Sequence, residues 1–364
     1  MSRREALSGV AGITSAAALG LAGWPARAET KAVFLGWQGY DEALFVDSFM
    51  QDQGISLETT YIGNNDEIVT KLQTGGIGTI DVVTPYMGYV PLLARTNLIE
   101  PIDESKVPNL ADMLPLFRDD TNVNIDGKLY STPFTWGSAP MMYNPAVIPT
   151  APESWFDLFK AEYKGKVGMM DDPLGNIMLA ARIGTDAESA TFLTHDQLKA
   201  AIDLLIKVKV EAARMVALSW GELADALARG DVVITFSGWE AIKKFVADKG
   251  AVAEYVYPKE GTYAWLDNYC IAKDAPHRDA AYAMCNQIIG VASQLKIGNE
   301  FIQGIVNQKA IDQLDAAAKA LYPYDDPAGF QKKATFYTFP PLDEDGTHAT
   351  FSDWMTDYER FKLA

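Results

Sequence analysis

Short apolar runs alternate along the chain with longer stretches whose apolar residues recur at helical spacing. Lys31 to Trp37 is short and apolar, and Glu42 to Gln53 then sets Leu44, Phe45, Val46, Phe49 and Met50 mostly on one helical face. Ser56 to Gly63 alternates as a strand, Asp66 caps a helix carrying Ile68, Val69 and Leu72, and Gly75-Gly76 stops it. Thr79 to Thr84 reads as a buried strand ended by Pro85. This order predicts a mainly parallel sheet covered by helices.

The second half repeats the style. Ser154 precedes a helix at Trp155 to Phe159, Val167 to Met170 is a strand, and Thr194-His195-Asp196-Gln197 is a capping box opening a helix through Ile206. Strands at Ala213 to Leu218, Asp231 to Phe236 and Val252 to Tyr257 are separated by helices at Gly221 to Arg229 and Trp239 to Asp248. Leu129 to Asn144, after the Asp126-Gly127 turn, is predicted to cross to a second lobe, with a return crossing near Trp265 to Asp267. A helix at Phe351 to Phe361 ends the pattern. The expected organisation is 29–136 with 267–323 in one lobe and 137–266 with 324–364 in the other.

The N-terminus changes the picture of where such a protein works. Arg3 and Arg4 precede an uncharged run from Val10 to Gly23, and Ala26-Arg27-Ala28 supplies the small-x-small pattern of a signal-peptidase site. The run is shorter than the roughly 20 residues that span a bilayer. Residues 1–28 are therefore expected to be a signal peptide cleaved after Ala28. Ser2-Arg3-Arg4-Glu5-Ala6-Leu7 also resembles a twin-arginine signal, so both export routes stay open. No Cys follows the cleavage site, which predicts a freely diffusing product in a periplasm rather than a lipid-anchored one.

Cleavage takes three arginines and one glutamate from 31 basic and 48 acidic residues, leaving 28 and 47 and a net charge of −19. That balance argues against nucleic acid and anionic membranes as partners, whose affinity rests on Lys and Arg. Cys270 and Cys285, the only two cysteines, suit either a disulfide in an oxidising compartment or two buried thiols. Only His195, His277 and His348 occur, none at metal-ligand spacing; His195 and His277 read as solvated. Neither a nucleophile elbow nor a phosphate-binding loop is present, so no catalytic residue, metal or cofactor is predicted.

Several segments together carry a resemblance. Trp37-Gln38-Gly39-Tyr40 follows the first strand, Asp81-Val82-Val83-Thr84-Pro85 closes the third, and Tyr130-Ser131-Thr132-Pro133-Phe134-Thr135-Trp136-Gly137 lies near the crossing. Glu162-Tyr163-Lys164-Gly165-Lys166, Asp171-Asp172, Tyr257-Pro258-Lys259-Glu260-Gly261 and Trp265-Leu266-Asp267 continue the series. In this order, from about residue 31 to 290, the chain resembles the spermidine/putrescine-binding proteins of ABC importers. The resemblance implies a two-lobed α/β periplasmic binding fold, type II-like, that closes on a ligand and docks on a membrane permease. Ligands in such sheets sit beyond the carboxyl ends of strands, where Trp37, Tyr40, Pro85, Tyr86 and Asp171-Asp172 fall.

The resemblance assigns Asp267 to gripping an ammonium, Trp265 to the ring beside it, and Trp37 and Tyr40 to an aromatic pair. Asp172 matches a carboxylate position, yet Asp172-Pro173 also reads as an N-cap followed by a first-turn proline. It can serve both purposes only if its second oxygen faces the cleft. Gly175 stands where the family places a second acid, which removes an ammonium anchor. Tyr86 replaces a small hydroxyl residue and Gly88 an aromatic, as if one ring had moved, with Tyr89 a candidate helper. Trp239 lies one position from the family's cleft Trp, and Trp136 either lines the cleft or stiffens the crossing. No counterpart of the family's later contacts is assigned around Gln303 or Phe336.

The expected function is capture of a polyamine or related small cationic amine by a monomer that delivers it to an inner-membrane ABC permease. The alternatives are a receptor for a betaine-like quaternary ammonium or an amino acid on the same fold, and a periplasmic enzyme. An amino-acid receptor would need a cation for the carboxylate, for which Lys259 is the nearest candidate.

Overall fold

The computed structural model describes residues 29–364, so the expected signal peptide and its expected cleavage after Ala28 lie outside the described residues. Two mixed sheets organise the chain. The first orders β11 (Gly304–Ile305), β4 (Thr132–Ser138), β10 (Thr262–Ile271), β3 (Val82–Val83), β1 (Thr30–Gly36) and β2 (Ile55–Tyr61), with β12 (Ala334–Phe336) pairing on β10. The second orders β9 (Glu254–Val256), β5 (Met141–Tyr143), β8 (Ile234–Phe236), β6 (Val167–Met170) and β7 (Ala213–Ala217).

The two-lobed α/β architecture is as expected, but parallel pairing does not predominate. β1 runs parallel to β2 and β3, whereas β10 runs antiparallel to β3 and β4, and β5 antiparallel to β8 and β9. The reason is the crossing itself. A strand that leaves one lobe and a strand that returns run in opposite senses, and here they pair with each other from Ala264↔Ser138 to Tyr269↔Thr132. Beyond that ladder, the Ala139 N–H donates to the Tyr263 carbonyl at 3.1 Å.

Local signals place the elements that flank the cleft. Asp172 caps α2 (Pro173–Gly184), and its Oδ1 accepts from the Gly175 N–H at 3.1 Å. Both arms of the Thr194–Gln197 capping box form at the start of α3 (His195–Glu211). The Ser219 hydroxyl caps α4 (Trp220–Arg229), which ends at Gly230 with φ +78°, a left-handed position that glycine occupies without strain. The predicted helix over 42–53 instead splits into a 3-10 turn at Asp41–Leu44 and a short helix at Phe49–Gln53. Asp47 at φ 49° breaks it.

Each sheet has its own apolar core, and α2, α3 and α7 (Phe351–Leu363) pack together beside the second. One stretch departs from the expected division. Tyr324, Phe330 and Ala334 pack with the first core, and β12 joins the first sheet. Their anchor is Trp136, which is 2% exposed, packs edge-on against Tyr324 and Phe330, and donates its indole N–H to the Ile305 carbonyl at 2.9 Å. Trp136 thus stiffens the crossing and does not line the cleft.

Cys270 and Cys285 are free thiols, fully buried between β10 and α5 (Arg278–Ile288). His277 is less solvated than its sequence context suggests. Its N–H and ring nitrogen both meet the buried carboxylate of Asp81, at 2.6 and 3.0 Å, tying the start of α5 to the β3 edge.

Candidate functional site

A cavity of about 790 Å³ opens where β1, β3, β6 and β8 end and the crossing strand β10 passes. All seven predicted site residues line it: Trp37, Tyr40, Tyr86, Asp172, Trp239, Trp265 and Asp267.

β10 contributes through its alternation. Side chains two apart share a strand face, so Tyr263, Trp265 and Asp267 point into one cavity. The ladder slips by one residue between Asp267 and Asn268, a bulge of the kind that re-aims a side chain beside a site. Gly137 on β4 lies under the Trp265 indole, and any Cβ there would collide with the ring. Trp265 meets Trp239 edge-to-face at 6.3 Å, and Trp239 meets Trp220 at 6.2 Å.

Trp239 is aimed by the turn after β8. Ser237 adopts φ +68°, a strained conformation for a residue other than glycine, and a Cβ on Gly238 would collide with Met142 and the Pro140 carbonyl. The indole N–H of Trp239 donates to the Tyr322 hydroxyl at 3.2 Å. The next residue, Glu240, is fully buried. It accepts from the Ser138 hydroxyl, from the Ser138 N–H at 3.1 Å and from the Tyr257 hydroxyl at 3.0 Å, and burial pushes its carboxyl up to about 7.

Asp267 is 8% exposed and accepts a short hydrogen bond from the Tyr40 hydroxyl. Burial pushes its carboxyl up to about 7, and the Tyr40 bond offsets this only in part. The Tyr40 phenol is raised well above its usual range by the same burial and by the neighbouring carboxylate. Tyr40 is itself held by an edge-on contact with Phe134 at 4.9 Å and by the Tyr269 hydroxyl, which donates to its carbonyl at 2.8 Å.

Tyr86 follows β3 and bridges Asp267 in the backbone. Its hydroxyl donates to the Tyr337 carbonyl at 3.1 Å, and its ring covers Gly88, where an added Cβ would meet Tyr86 Cε1 at 2.7 Å. One aromatic can occupy that space, at 86 or at 88, but two cannot.

On the opposite wall, Asp172 is the N-cap of α2, and its second oxygen does turn toward the cavity. There it meets the Tyr263 hydroxyl at 3.3 Å. A Cβ on Gly175 would collide with Asp172 Oδ2 and the Tyr263 hydroxyl, so a side chain there would displace both groups. Burial also raises the Asp172 carboxyl above its ordinary value.

Sequence reasoning missed several lining residues. Tyr263 was legible in principle, since it shares the β10 face with Trp265 and Asp267. Asp66, Trp220, Gln303, Phe351 and Met355 also line the cavity, the last two from α7, and so does Asp171, which the sequence places with Asp172 at a strand end. Lys259 does not. Of the lining residues, four are aspartates and nine are aromatic, and none is Lys, Arg or His. Among the described residues, no group of three or more His, Cys, Asp or Glu could hold a metal ion.

Comparison with known proteins agrees with this geometry. A spermidine/putrescine-binding periplasmic protein of Escherichia coli is 27% identical over 315 residues, covering 85% of this chain and 87% of the relative. A putrescine-binding periplasmic protein of Pseudomonas aeruginosa is 25% identical over 357 residues, covering 92% and 94%. In structure, the spermidine/putrescine ABC transporter substrate-binding protein of Streptococcus pneumoniae superposes with a TM-score of 0.73 at 22% identity, covering 92% of this chain and 99% of its own. That likeness bears on the fold. Residues 45–320 match the family model for bacterial extracellular solute-binding proteins, and with a cleft between two sheets where a solute would sit, the chain belongs to that family.

Proposed function

We propose that this protein is the periplasmic receptor of an ABC importer, and that it captures a small cationic amine and delivers it to an inner-membrane permease. The single observation carrying the ligand class is the lining of the cleft: four aspartates and nine aromatic rings with no basic side chain. A buried ammonium without a carboxylate would cost several kcal/mol. Each well-placed ring adds about 0.5–2 kcal/mol of cation–π attraction. A dissociation constant of ~1 μM needs about −8.2 kcal/mol, which one buried ion pair and three or four rings can supply after ordering costs. The names of the relatives point the same way.

Trp37, Tyr40, Tyr86, Trp239 and Trp265 wall the site in this reading, and Asp267 holds the ammonium. We assign 29–136 with 267–336 to one lobe and 137–266 with 337–364 to the other, a division that follows the two cores except at Ala241, Ala264, Leu266 and Phe339, which reach into the first. Export to the periplasm would remove residues 1–28. No helix among the described residues is long and apolar enough to cross a membrane.

The amino-acid reading has no cation for a carboxylate among the described lining residues. Thermal-shift screening of the mature protein against amines, betaines, amino acids and metal ions tests the proposal. Amines should raise Tm selectively. Selective stabilisation by an anionic ligand, or an undiminished amine response in Asp267→Ala, would overturn it.

A further inference from the structure

We infer that the cleft is built for a singly charged primary amine, with one ammonium on Asp267 and a far end that carries no charge. This rests on the amine reading above and narrows it. Asp267 and Asp172, the less exposed pair among the aspartates lining the cleft, differ in what already occupies them. Asp267 accepts from one phenol, Tyr40, and no basic group among the described residues pairs with it. Its second oxygen accepts from no side chain, and the residue lines the cavity. A primary ammonium brings both the missing charge and the missing N–H donors. A quaternary ammonium brings only the charge.

Asp172 presents the opposite case. Oδ1 receives the Gly175 N–H at 3.1 Å, Oδ2 faces the Tyr263 hydroxyl at 3.3 Å, and the carboxylate sits at the N-terminus of the twelve-residue helix α2. The helix dipole and these two donors offset part of what burial costs the charge there. The Tyr263 hydroxyl fills the space that a side chain at position 175 would otherwise enter. With glycine at position 175, no second acid is added to Asp172 on that wall. The far end of a ligand held by Asp267 therefore meets a carboxylate whose two oxygens each already have a donor, and the apolar surfaces of Leu174, Met178 and Trp239.

Two further lining aspartates are exposed. Asp66 accepts from the Tyr89 hydroxyl at 3.0 Å and Asp171 from the Tyr358 hydroxyl at 3.2 Å. Attraction between exposed charges is screened by water and salt, so a second ammonium reaching them gains less than about tenfold in affinity.

An isosteric ligand pair isolates the second charge. 4-Aminobutan-1-ol and putrescine have the same length and differ in one terminal group, and titration calorimetry gives their dissociation constants side by side. The wild-type ratio should lie within about threefold. Tyr263→Phe, which removes the hydroxyl on Asp172 Oδ2, should shift the ratio at least tenfold toward putrescine. A wild-type preference for putrescine or spermidine above tenfold overturns the single-charge inference and leaves the amine receptor standing. A ratio unmoved in a folded, amine-binding Tyr263→Phe overturns the part given to Tyr263. Failure of every amine to bind removes both readings.

Discussion

Asp267 makes ligand binding a proton-linked event, with a sign that can be worked out. Its carboxyl sits at about 7 in the empty cleft, against an ordinary value of 3.8. An ammonium binds the ionised form, so the apparent dissociation constant scales inversely with the ionised fraction. That fraction is about 10% at pH 6 and about 90% at pH 8. Affinity for putrescine or a monoamine should therefore rise about tenfold between pH 6 and pH 8, equivalent to about 1.4 kcal/mol. Calorimetry at pH 6 in buffers of different ionisation enthalpy should register about 0.9 proton released per ligand, falling to about 0.1 at pH 8.

The stability of the empty protein moves the other way. The folded-state value lies above the unfolded one, so ionisation penalises the folded state increasingly from about pH 4 to pH 7 and fully above it. The full penalty is about 4 kcal/mol. Asp267→Asn keeps the shape and the Tyr40 hydrogen bond while removing the charge. It should raise Tm at pH 8, leave Tm almost unchanged at pH 4, flatten the pH profile of binding and weaken amine affinity more than about 100-fold. An affinity constant from pH 6 to pH 8, or a wild type that releases no proton at pH 6, would refute the reasoning.

Glu240 titrates in the same window without touching the cavity, since burial pushes it up to about 7 from 4.5. In Glu240→Gln, the amide oxygen can accept from the Ser138 N–H while the amide nitrogen donates to the Ser138 and Tyr257 hydroxyls. The substitution should stabilise by up to about 3 kcal/mol at pH 8 and by almost nothing at pH 4, read by calorimetric unfolding. A loss of stability at pH 8 would show that the charge is compensated. Gly137→Ala should lift the Trp265 indole off β4, cost about 1–3 kcal/mol through overpacking and lower amine affinity. Unfolding and tryptophan fluorescence report it, and unchanged emission and affinity would mean that the ring is not seated on that glycine.

Much of the site is legible from short-range order. Trp37 and Tyr40 follow an apolar strand, Asp172-Pro173 is a cap written in two residues, and Trp265 and Asp267 share a face because strands alternate. Each of these follows from backbone periods and capping chemistry that act over a few residues. The same logic predicted both arms of the Thr194–Gln197 capping box.

What the tertiary structure decided is which partners those residues meet. Asp267 and Tyr40 are 227 positions apart, and Asp172 and Tyr263 are 91 apart. No local period encodes such pairings, so the sequence offered Asp172 as both cap and ligand and could not choose. The fold turned its second oxygen toward a tyrosine. It also sent Trp136 into the core, joined β4 to β10 in antiparallel register and brought Phe351 and Met355 to the cleft. Local chemistry, acting through hydrogen bonds and side-chain periodicity, determined what each segment presents. Burial, which depends on the whole chain closing around a core, determined the charge state and the partners of what was presented.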